Sequence, residues 1–93
     1  MPSTESYLCP VCGFEGLDEP ARDAHGLATF GICPSCGTEF GYDDAARSHT
    51  ELLAQWTKLR TQWKKKGMPW FSRSKAPPAG WDPAEQLRRL GRS

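Results

Sequence analysis

A chain of 93 residues, 10.4 kDa and formal net charge +1 is sized for one domain, 1–93, with a thin core. Leu, Ile, Val and Phe supply only 14 residues, too few for an ordinary aliphatic core, while the small net charge excludes the strongly charged disordered class. The difference is made up by four Trp, four Phe, two Tyr and four Cys, a composition that calls for a disulfide or metal staple. No apolar run is long enough to cross a membrane. The opening Met1-Pro2-Ser3-Thr4-Glu5-Ser6 has neither a basic start nor an apolar stretch, so no secretory signal is expected and the chain reads as cytoplasmic.

The first predicted element is a segment of turns and short strands over 5–42. It carries a single basic side chain, Arg22, against six acidic ones, whereas residues 43–93 carry eleven basic and five acidic. Tyr7-Leu8 leads into the first cysteine pair. Leu27-Ala28-Thr29-Phe30-Gly31-Ile32 alternates as a short strand into the second, and Thr38-Glu39-Phe40 is the expected return strand. Gly16 to Gly26 is a polar loop with one expected helical turn around Glu19–Ala24. Residues 8–15 and 32–39 form a weak internal repeat, two copies of one turn.

The cysteines are spaced Cys9-x2-Cys12-x20-Cys33-x2-Cys36, the pattern of four thiolates around one ion. Two intervening residues allow a tight turn to aim both sulfurs at one point. Pro10 and Pro34 pre-set the turn, and Gly13 and Gly37 supply positive φ just after it. Four sulfurs close the coordination sphere, which marks a structural zinc rather than a catalytic one. Two disulfides, a thioredoxin-type redox pair and a tetrathiolate iron are the alternatives. A reducing compartment argues against disulfides, and the missing βαβ setting against the redox pair.

An amphipathic helix occupies 43–67. Ala45, His49, Leu52, Trp56, Leu59 and Trp63 recur at steps of four and three, and Leu53 widens the stripe. Asp43 or Asp44 is the expected cap, with Ser48-His49-Thr50-Glu51 an alternative start of capping-box form. Lys64, Lys65 and Lys66 complement the carbonyl end, and Gly67 stops the helix. Residues 68–93 are an irregular connector followed by a short helix at 83–90, capped by Asp82 and ended by Gly91. The fold class is thus small α+β, a four-cysteine zinc ribbon with short antiparallel strands followed by two helices.

Tyr7-Leu8-Cys9-Pro10-Val11-Cys12-Gly13-Phe14 with Cys33-Pro34-Ser35-Cys36-Gly37 resembles the two knuckles of rubredoxins, which implies iron and electron transfer, with Tyr7, Phe14, Phe30 and Phe40 shielding the site. A longer stretch, continuing through Ile32-Cys33-Pro34-Ser35-Cys36 to Glu39-Phe40-Gly41-Tyr42-Asp43-Asp44, is similar to small bacterial proteins of the cysteine-rich CPCC type. It departs from them at Val11, where they have a third cysteine. That resemblance implies a metal-binding ribbon in a small bacterial cytosolic protein and no particular activity.

Other residues favour structural roles. His49 is expected at the core edge rather than as a fifth ligand or general base, His25 in solvent, and Asp43-Asp44 as a helix cap rather than a paired-carboxylate site. Trp70 and Trp81 are placed to pin the connector, and an exposed Trp would anchor an interface. No nucleophile–base pairing or phosphate-cradling glycine loop occurs. Lys64-Lys65-Lys66 with Trp70, Phe71, Arg73 and Lys75 is a basic stretch with interleaved aromatics, so a nucleic-acid-binding surface is one reading. The favoured expectation is a non-enzymatic, zinc-stabilised module, of adaptor or immunity type, that binds one protein partner through a fold held by Cys9, Cys12, Cys33 and Cys36.

Overall fold

The computed structural model describes residues 7–23 and 25–90. Two helices form, α1 at His49–Lys65 and α2 at Pro83–Arg89. Ser48, the alternative start, is the cap of α1. Its Oγ accepts from the Glu51 amide at 3.1 Å, and the Glu51 carboxylate accepts from the Arg47 amide at 2.7 Å. At the other end, Gly67 at φ +93° donates to the Lys64 carbonyl and Met68 donates to that of Trp63, so the left-handed residue reverses the chain and satisfies two end carbonyls. Asp82 caps α2, accepting from the amides of Ala84 and Glu85, and Pro83 fills the position where a missing N–H costs nothing.

The expected zinc ribbon is corrected by the structure. Among the described residues there is no β-strand, and the antiparallel pairing shrinks to three isolated bridges, Tyr7 with Leu17, Arg22 with Ala28 and Ile32 with Glu39. The physical reason lies in the segment read as a strand. Phe30 sits at φ +62°, which no strand contains, and Leu27, Phe30 and Ile32 are all exposed, so their alternation packs against nothing. Each bridge instead closes a turn. Likewise, Asp43 and Asp44 do not cap α1: they accept from upstream amides, Asp43 from Glu39 at 2.8 Å and Asp44 from Gly41 at 2.6 Å. Residues 19–23 form no helical turn. Glu5, Ser6, Ala24 and Gly91, which entered the expected ribbon, helical turn and helix stop, lie outside the described residues.

The core matches the composition. Cys9, Val11, Cys12, Phe14, Leu17, Ala21, Cys33, Phe40, Trp63 and Leu87 form one buried cluster, with Tyr7, Trp56, Leu59, Trp70, Trp81 and Leu90 packed around it. Aromatic rings replace the missing aliphatic mass. Trp70 stands edge-on to Phe14 at 5.6 Å and to Trp81 at 5.1 Å. Every indole N–H is satisfied: Trp56 by Asp44, Trp63 by the Pro69 carbonyl, Trp70 by that of Lys75 and Trp81 by the Gln86 side chain. Each ring therefore contributes apolar area without burying an unpaired donor. No helix among the described residues is long and apolar enough to cross a membrane.

Candidate metal centre

The two cysteine turns are built alike. In the first, Gly13 donates to the Cys9 carbonyl at 2.9 Å and Cys9 donates to that of Phe14 at 2.8 Å. In the second, Gly37 donates to Cys33 at 2.8 Å and Cys33 donates to Thr38 at 3.0 Å. Gly13 and Gly37 hold φ of +86° and +80°. The sequence repeat thus becomes a repeated backbone turn, in which glycine lets the chain leave the second cysteine without a Cβ clash.

These turns bring Cys9, Cys12, Cys33 and Cys36 together, with all four sulfurs within 4.8 Å of one another. Across the two turns Cys9 lies 3.8 Å from Cys36 and Cys12 lies 3.7 Å from Cys33. A tetrahedron with metal–sulfur bonds of about 2.3 Å has edges of about 3.8 Å, so these separations fit one ion at the centre. They are far longer than the ~2.05 Å of a disulfide, and all four cysteines are free. The four can hold one metal ion.

The electrostatics ask for a cation. Burial, reinforced by the neighbouring thiols, pushes the Cys9 thiol well up. Hydrogen bonding with Cys33 and Cys36, followed by burial, does the same for Cys12. Cys36 moves the other way, because Cys12, Cys33 and Cys9 direct hydrogen bonds at it and the Thr38 hydroxyl lies 3.2 Å from its sulfur. Without an ion, Cys9 and Cys12 are held toward the thiol and Cys36 toward the thiolate. A divalent ion supplies the charge that lets all four ionise.

Residues from the C-terminal half hold the turns in place, and these the sequence reading did not find. Arg60, buried on α1, donates to the carbonyls of Val11 at 2.8 Å and Pro10 at 2.7 Å inside the first turn. Gln86 on α2 donates to the Cys12 carbonyl at 3.2 Å and to Ser35 Oγ at 3.0 Å, and so joins the first turn to the second. Phe71 and Ser72 donate their amides to the Pro34 carbonyl. Asp44, wholly buried, gathers Gly41, the Trp56 indole and Arg22. Arg60 had a signal, a cation set four residues after Trp56 on the apolar stripe. Gln86 had none.

Of the rings expected to shield the site, Phe14 and Phe40 are buried and Tyr7 is half-buried, but Phe30 is 68% exposed. His49 is exposed at the start of α1, not at the core edge, and His25 is also exposed. Neither joins the sulfur cluster.

Two Bacillus subtilis (strain 168) proteins resemble the chain over a short stretch. Uncharacterized protein YoaQ is 46% identical over 39 residues and uncharacterized protein YozI is 40% identical over 40. Each match covers 41% of this chain and 33% of the relative, so the chain matches about a third of either relative's length. No protein-family model and no solved structure matches.

Proposed function

We propose that this chain is a non-enzymatic protein-interaction module whose fold is held by one structural zinc ion in Cys9, Cys12, Cys33 and Cys36. The observation that carries the reading is the gathering of four sulfurs within 4.8 Å, with cross-turn separations of 3.7 and 3.8 Å, in the only sizeable buried cluster among the described residues. A closed set of four thiolates leaves no position for a reacting water, which favours a structural role. The resemblance to CPCC-type proteins points the same way. Zinc binding supplies about 10–16 kcal/mol in small domains, enough to outweigh the net stability of a chain this size.

The test is metal analysis of protein purified without added metal. One zinc per chain in a colourless protein, with cooperative unfolding on chelation, is expected. A red protein that carries iron and bleaches with reductant would replace this reading with an electron carrier. A metal-free protein that melts cooperatively with all thiols titratable would remove it.

A further inference from the structure

A cleft of about 1180 Å³ lies between the second cysteine turn, the C-terminal part of α1 and the loop after it. Its apolar lining includes Ile32, Leu59, Trp63, Trp70 and Phe71. Trp63 is buried, but Ile32 and Phe71 are 53% and 57% exposed, so apolar surface faces the opening. Three exposed cations line it as well, Lys66, Arg73 and Lys75.

These cations differ from the arginines elsewhere. Arg22, Arg47, Arg88 and Arg89 each pair with a carboxylate, and Arg60 is committed to turn carbonyls. Among the described residues Lys66, Arg73 and Lys75 enter no ion pair; Lys58, Lys64 and Lys65 enter none either, but they do not line the cleft. Asp43 is the one acid lining the cleft, and its carboxylate already accepts from the Glu39 amide. Lys66 caps the end of α1, and the loop carrying Arg73 and Lys75 is held on the turn beneath it. Phe71 and Ser72 donate to Pro34, Lys75 donates to Ser72 Oγ, and the Trp70 indole holds the Lys75 carbonyl. Positive charge is therefore presented by a built surface beside an apolar one.

We infer that this cleft is a docking groove for an acidic segment of a partner protein, with one or two apolar side chains seated on Ile32 and Phe71 and flanking carboxylates at Lys66, Arg73 and Lys75. The inference deepens the reading of the chain as an interaction module by naming the face and the chemistry of the partner. Charge complementarity selects the acidic partner. The volume exceeds the ~300–1,000 Å³ usual for a small-molecule pocket, which suits a peptide. Single-stranded nucleic acid is the less favoured occupant, since it needs successive exposed aromatic platforms, and of the rings on this lining Trp63 is buried, Trp70 is half-buried against Phe14 and Trp81, and Phe71 alone is exposed. With a divalent ion, the thiolate centre carries about −2 and Cys36 is its one ligand in the cleft lining, so the apolar part of the segment belongs nearest that wall.

The test is titration of the folded protein with a fluorescently labelled octapeptide of sequence EEDFLEDE, read by anisotropy. Saturable binding is expected, weakened at least tenfold by the combined Lys66→Glu, Arg73→Glu and Lys75→Glu substitutions, reduced by Ile32→Ser, and unchanged by Lys58→Glu, an exposed cation outside the cleft. Four outcomes overturn the proposal: no saturable binding; equal binding of the lysine counterpart KKKFLKKK; equal loss with Lys58→Glu; or tighter binding of a thymidine octamer, which would assign the face to nucleic acid. Metal content is measured on the same sample. Folded protein that carries zinc but ignores the peptide sinks the groove and spares the metal reading. Folded protein that binds the peptide without metal does the reverse.

Discussion

The two cysteine turns share a backbone but not a cover. The first, Cys9 to Gly13, is buried at every residue but Pro10. Arg60 ties down its carbonyls, and a Cβ on Gly13 would fall 2.4 Å from the Gln86 carbonyl oxygen. The second, Cys33 to Gly37, is covered by a loop. A Cβ on Gly37 would fall 2.5 Å from the Phe71 ring, and Cys36 reaches the cleft while Cys9, Cys12 and Cys33 are fully buried. One local geometry thus serves two ends. Where a helix backbone seals the turn it is structural, and where a side chain seals it the turn also forms part of a surface.

The comparison breaks most severely at the four-sulfur cluster that the two turns share, which can hold one metal ion. Cys12→Ser, or chelation of the metal, should remove most of the ~10–16 kcal/mol that a structural zinc contributes, and circular dichroism should show loss of the fold. Next in size is the glutamine that joins the turns. Gln86→Leu leaves the Cys12 carbonyl and the Ser35 and Trp81 donors or acceptors without their buried partner, at about 1–3 kcal/mol, and urea unfolding of the zinc-loaded protein should record it.

The glycines sharpen the asymmetry. Both hold positive φ, but Gly13→Ala meets a fixed carbonyl whereas Gly37→Ala meets a ring that can turn aside. Gly13→Ala should therefore lower the thermal midpoint more than Gly37→Ala; equal effects would mean that α2 yields as easily as Phe71. The smallest change in stability should come from Glu15→Gln, which breaks a half-exposed ion pair with Arg89 and is expected to cost under about 1 kcal/mol.

Two chemical measurements read the same contrast. Under limiting iodoacetamide, peptide mapping should find Cys36 modified before Cys9, Cys12 or Cys33, because it alone of the four lines the cleft and is not fully buried. The pH dependence of loading has a definite sign. Burial and neighbouring thiols hold protons on Cys9 and Cys12, so binding must displace them. Zinc retention against a competing chelator should weaken as pH falls and strengthen as it rises, with protons released on loading in weak buffer.

Local patterns translated into local structure. Cys-x2-Cys followed by Gly predicted two tight turns, and both form with the same hydrogen bonds. The breakers Gly67 and Asp82-Pro83 mark the end of α1 and the start of α2. The strands were misread because alternation in Leu27–Ile32 carries no information about which surface, if any, it will meet. The α1 start was displaced because Asp44 is drawn inward by Trp56 and Arg22, partners twelve and twenty-two residues away.

The sequence by itself determined the spacing of the sulfurs, the turns that aim them and the stripe that makes α1 amphipathic, since each depends on residues within a few positions of one another. The tertiary structure decided how the turns are locked and what they expose. Arg60 to Val11 spans 49 residues and Gln86 to Cys12 spans 74, and hydrogen bonds across such separations follow from how the whole chain packs, not from any short pattern within it.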